Sequence, residues 1–108
     1  MLTKEKIAQA KTPPLLRTLS ETGEHAYIRH MSGLERMKLV QTIGADGQMD
    51  AVLGVMYFLA NEDGTRMYGD KERADVESMD GLVFQDVFLA GLEVNGLMEG
   101  SEDEAAKK

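Results

Sequence analysis

The stretch DGLVFQDVFLAGLEVNG, residues 80–96, decides the fold. It carries the caps of a long helix: Asp80 offers a side-chain oxygen to the first free amides, and Asn95-Gly96 is a C-terminal stop. At about 100° per residue, Gln85, Glu93 and Asp86 fall within one arc of about 100°. Ala90, Val83, Val94, Val87, Gly91, Phe84, Phe88 and Leu92 fill a contiguous arc of roughly 200° with no polar residue. A surface helix needs an apolar stripe only somewhat over about 100° wide. The segment is therefore either the central helix of the fold or half of an interface.

Working outward from it, residues 70–78 have the cap and polarity of an exposed helix that leads through Met79 into the long one. Asn61-Glu62-Asp63-Gly64 is a turn, followed by a short extended piece at 65–68. Asp50 precedes AVLGVMYFLA, which is apolar all round. Such a run suits a buried helix or a buried strand. The Asp50 cap favours a helix, and Gly54 weakens a strand as much as a helix. Ser32-Gly33-Leu34-Glu35 is a capping box. The helix it starts is expected to turn Leu34, Met37, Val40 and Ile43 inward and Glu35, Arg36 and Lys38 outward, with Gly44 as its stop. Residues 44–47 make a flexible joint.

Toward the N-terminus, residues 15–19 and 24–31 flank the turn signal Glu21-Thr22-Gly23. In the second segment Tyr27 and Arg29 alternate with Ala26, Ile28 and His30, the period of a strand. The two segments are expected to form a hairpin. A short helix from Thr3 to Lys11, with Thr3 as N-cap, ends at Pro13-Pro14, where amide hydrogens are missing. Nine residues are marginal as a helix in water, so it is either docked or frayed. The expected architecture is α+β and mainly α, with four to five helices and a short N-terminal strand pair. Residues 1–98 form one compact domain, 1–14 loosely docked, and 99–108 are a disordered acidic tail.

The 108 residues carry a net charge of −7, unevenly spread. Residues 1–17 are basic, whereas the body between 18 and 98 is strongly acidic. Clustered Lys and Arg, which phosphate binding requires, are missing, so nucleic acid is not an expected partner. Without cysteine there is no disulfide framework, thiolate nucleophile or cysteine metal site. Charges interrupt MLTKEKIAQAK where a signal peptide needs its apolar region, and the longest apolar run is too short to span a bilayer. A cytoplasmic protein without membrane partner is expected.

Chemistry-bearing constellations are weak. An EF-hand with its glycine at Gly64 would place Leu59 and Asp70 at its first and last ligand positions, and leucine cannot ligate. His25 and His30, five apart near a strand, point to opposite faces. Residues 44–47 lack the Gly-Lys-Ser/Thr of a phosphate loop, and no serine has a nucleophile-elbow context. No catalytic residue, metal site or cofactor is expected. Two signals remain: methionines spread over several elements (Met37, Met49, Met56, Met67 and Met79), which suit cores and adaptable surfaces alike, and the wide apolar arc. The candidate partner and self-association surface is Val83, Val87, Val94, Phe84, Phe88 and Leu92. Its Phe84–Phe88–Leu92 side is expected to pack on residues 51–60, and its Val83–Val87–Val94 side to face another chain. Charging Val87 should then disrupt assembly and spare the fold.

Several short motifs, in order, resemble the tail assembly chaperones of long-tailed double-stranded DNA phages and prophages. Met1-Leu2-Thr3-Lys4 with Ile7 resembles the family's opening. Tyr27-Ile28-Arg29 followed by Ser32-Gly33-Leu34-Glu35-Arg36 resembles its strand-to-helix junction. Glu62-Asp63-Gly64, Asp75-Val76 and Leu92-Glu93-Val94-Asn95-Gly96-Leu97 resemble its C-terminal half. The family often has Phe where this chain has Tyr68, and residues 41–50 match none of its motifs. The resemblance implies a non-enzymatic protein of the host cell cytoplasm. It would coat the tape measure protein while tail tube subunits polymerise, self-associate, and be absent from the finished virion. It also implies a longer form, made by ribosomal frameshifting, that engages the tail tube protein; the A-rich codons of Lys107-Lys108 mark a candidate slippery site. The alternative is a small structural tail or connector protein of the virion.

Overall fold

The computed structural model describes residues 1–9, 13–19 and 22–97. The expected tail at 99–108 lies outside them. Among the described residues nine elements follow in order: α1 (Lys4–Gln9), β1 (Leu15–Thr18), β2 (His25–Ile28), α2 (Gly33–Val40), α3 (Ala51–Phe58), β3 (Leu59–Ala60), a 3-10 turn (Asp70–Glu72), α4 (Arg73–Glu77) and α5 (Gly81–Val94). The α+β, mainly helical class is the one the sequence implies.

The expected hairpin forms, with Leu16 opposite Tyr27 and Arg17 opposite Ala26. A third strand joins it: β3 pairs antiparallel with β2, Tyr27 opposite Ala60 and Ile28 opposite Leu59. The run 51–60 is thus helix and then strand. Asp50 caps α3 by accepting from the Leu53 amide at 3.2 Å, and the chain turns extended at Leu59, φ −77° and ψ 125°. All residues from Gly54 to Ala60 are buried. That explains why neither half of the run shows a polar face. The following turn closes through Gly64 at φ +90°, and Met67 donates back to the Leu59 carbonyl at 3.1 Å.

α5 is the central helix. Asp80 accepts from the Leu82 and Val83 amides, and Gly96 at φ +69° ends the segment as a left-handed stop. The helix packs on α3 and on β2. Its wide arc is spent on this packing. Gly91 is a notch for the Phe58 ring: a Cβ there would overlap the ring carbons. Phe88 lies tilted against Phe58, centroids 6.2 Å apart, and close over Gly54. Phe58, Ile28, Leu39, Val55, Val76 and Val87 are the largest fully enclosed side chains.

Three placements differ from expectation. Val87, read as facing another chain, is only 1% exposed and sits in the core. Asp86, read with the polar arc, is buried; the outer strip of α5 runs instead through Leu82, Gln85, Leu89 and Glu93. Helix α2 is turned over. Leu34, Met37, Val40 and Ile43 are all exposed, whereas Leu39 is fully buried and Glu35 is half-buried. The reason is electrostatic. Glu35 is held inward by Arg29 and by the capping box, and a helix of eight residues cannot turn both faces to the core.

Candidate functional site

The two best-defined sequence motifs meet in space. Arg29, just past β2, donates through both terminal nitrogens to the two Glu35 carboxylate oxygens at 3.1 Å each, and to the Tyr57 carbonyl at 2.7 Å. Glu35 also accepts from the Ser32 amide at 2.9 Å, while the Ser32 hydroxyl accepts from the Glu35 amide at 3.2 Å. From the far end of the chain, Asn95 accepts from the Met31 amide at 2.8 Å and donates to the Arg29 and Gly91 carbonyls at 3.2 and 2.9 Å. Arg36 donates to the Asn95 carbonyl at 2.6 Å. Arg29 and Glu35 are each under a fifth exposed, so the bidentate pair is shielded from water. These residues form a clasp that fixes α2 and the end of α5 on the sheet. Most of their hydrogen bonds are made within the protein, while Arg36 remains exposed.

Burial pushes the Glu35 carboxyl up, but the Arg29 guanidinium and the Ser32 amide outweigh it and hold the group below its ordinary value. Asp50 is likewise lowered, chiefly by its hydrogen bond from Arg73, at 3.1 Å. The turn that resembled a cation loop is closed on itself. The Asp63 carboxylate accepts from the Thr65 amide and hydroxyl at 3.0 and 2.6 Å. His25 pairs with the Thr18 hydroxyl at 3.0 Å, and His30 is half-buried. Among the described residues no three metal-ligating side chains gather, and no helix is long and apolar enough to cross a membrane.

Of the apolar surface left exposed, which also includes Leu15 and Leu16 on β1 and Leu82 and Leu89 on α5, two features have a defined shape. The first is convex: the ridge of Leu34, Met37 and Val40 on α2, 63, 58 and 42% exposed, continued by Ile43. The second is concave, a groove of about 430 Å3 between β2–β3, the turn after β3 and the first half of α5. Ala26, Leu59, Met67, Met79, Val83 and Val87 are among the residues lining it. Of the six α5 residues proposed from sequence, Val83 and Val87 line the groove, Val87 at its buried floor. Phe84, Phe88, Leu92 and Val94 are partly buried against the core. Phe88 packs on α3 as expected. The ridge was missed because its spacing also fits an inward face. The half-buried Arg29–Glu35 pair that turns it outward is a tertiary fact.

In this small α+β domain the motif polar residues lock the frame, and apolar surface is left exposed. No protein-family model matches the chain, and no curated protein sequence does. Its fold is similar to that of the bacteriophage HK97 tail assembly chaperone, with a TM-score of 0.57 at 16% identity, covering 82% of this chain and 94% of that one. The fold is thus of the phage tail assembly chaperone kind.

Proposed function

We propose that the protein is a tail assembly chaperone of a long-tailed phage or prophage. It binds the tape measure protein in the host cytoplasm, keeps its apolar helix faces from aggregating while the tail tube grows, and is left out of the virion. The observation that carries this reading is the fold likeness, which extends over 94% of the HK97 protein. The exposed ridge and groove support it, because contiguous apolar surface on a folded domain marks sites of protein contact. A chain of net charge −7 keeps such a complex soluble. The protein works as a self-associating binder and not as an enzyme, and a longer frameshifted form recruits the tail tube protein.

Co-expression with the tape measure protein encoded in the same genome tests the reading. A soluble complex is expected, with the tape measure protein insoluble when expressed alone. Purified particles analysed by mass spectrometry should lack this chain. Finding it in many copies per particle would make it a structural tail or connector subunit instead.

A further inference from the structure

The ridge and the groove are complementary in shape and in charge. At about 100° per residue, Leu34, Met37 and Val40 span an arc of roughly 120° on α2. Lys38 lies about 40° beyond Leu34 on one side, and Arg36 about 40° beyond Val40 on the other. Both basic side chains are exposed, Lys38 throughout and Arg36 with one guanidinium nitrogen on the Asn95 carbonyl and the rest of its donors outward, and the one acid of α2, Glu35, is turned in and paired with Arg29. The ridge is therefore apolar with basic flanks on a protein that is acidic overall. The groove has the opposite character. Its interior is lined mainly by aliphatic side chains and methionine, and the carboxylates lining it are Glu24 and Glu62, both exposed. Its volume of about 430 Å3 falls in the range of specific binding clefts, roughly 300–1,000 Å3. It can take a few side chains from a helix laid across it, not a helix of about 10 Å diameter.

We propose that the α2 ridge of one copy seats in the groove of a second copy, with Lys38 and Arg36 set against Glu24 and Glu62. This deepens the self-association part of the proposed function and stands apart from tape measure binding. Because ridge and groove are different patches, the contact is heterologous. Each copy added leaves one free ridge and one free groove at the ends, so association runs on into rings or open chains and does not stop at a two-fold dimer.

The test uses two single variants of the full chain at exposed positions. Met37→Asp puts an acid in the middle of the ridge, and Met67→Lys puts a base at the groove; the parent side chains are 58 and 43% exposed. Each variant should keep the parent melting temperature within a few degrees. Each should weaken self-association about tenfold or more, the loss of one central contact residue. Mixed, the two should form a discrete one-to-one dimer by light scattering, through the one intact ridge and the one intact groove. Three results would overturn the proposal: a mixture that stays monomeric, variants that associate like the parent, or a dimer formed by one variant alone. A parent chain that stays monomeric at high concentration would remove self-association altogether, leaving tape measure binding to be judged by co-purification.

Discussion

Arg29, Glu35 and Asn95 show how much of a small domain hangs on a few polar side chains. Glu35 and Asp50 both have carboxyl values below the ordinary 4.5 and 3.8. A lowered folded-state value means that the unfolded chain binds protons first. The stability these groups contribute is complete above those ordinary values. It is lost as the pH falls through the lower folded-state ones. The melting temperature is expected to drop with acidification from about pH 4.5 downward, and Glu35→Gln should flatten that drop while lowering stability at neutral pH. An unchanged profile in Glu35→Gln would mean that the pair contributes nothing to acid sensitivity. Asn95→Ala removes the acceptor of the Met31 amide and the donor to two carbonyls. Groups left buried without partners cost about 1–3 kcal/mol each. The urea midpoint should fall at unchanged slope, the sign of lost stability in an unchanged fold.

Among the elements, the contact of α3 with α5 is tight, and two glycines allow it. Gly54 lets Phe88 approach α3, and Gly91 lets Phe58 approach α5. Gly91→Ala would gain about 1 kcal/mol of helix propensity and lose more by overpacking, typically about 1–3 kcal/mol. A lower melting temperature is expected, recovered in part when Phe58→Leu makes room in the same chain. A stabilised Gly91→Ala variant would show that the aromatic ring has space to move. Residues 80–96 disclosed their own helix completely, since Asp80 and Gly96 are local signals and 14 residues between them are helical. The two-residue strand β3 was not legible. Nothing in Leu59-Ala60 differs from the run before it; the strand exists because β2 lies alongside with free backbone groups. The direction of α2 was equally hidden, because a stripe of Leu34, Met37, Val40 and Ile43 satisfies the inward pattern as well as the outward one.

For the whole molecule, stability and association divide between surfaces. Val87 is enclosed, so Val87→Glu would bury an unpaired charge, a cost of several kcal/mol against a typical total of about 5–15 kcal/mol. Loss of the folded far-UV and near-UV signals is expected. This replaces the sequence-based expectation that the variant would fold and fail only to assemble. Leu34→Glu, at 63% exposure, should fold like the parent. A folded Val87→Glu would mean that the helix can roll to expose that side chain.

By itself the sequence determined the class of fold, most of the element boundaries and the caps that set them. Those features depend on residues within a turn or two of one another. It also contained both halves of the clasp, at residues 29–36 and 91–95, without showing that they touch. Only the tertiary structure decided which apolar faces were consumed and which were left over. The wide arc of α5 went into the core, because α3 and the sheet cover it from two sides. The stripe on α2 stayed outside, because a shielded Arg29–Glu35 pair claimed the inner face. Burial belongs to the meeting of two surfaces, and a periodic pattern describes one surface at a time.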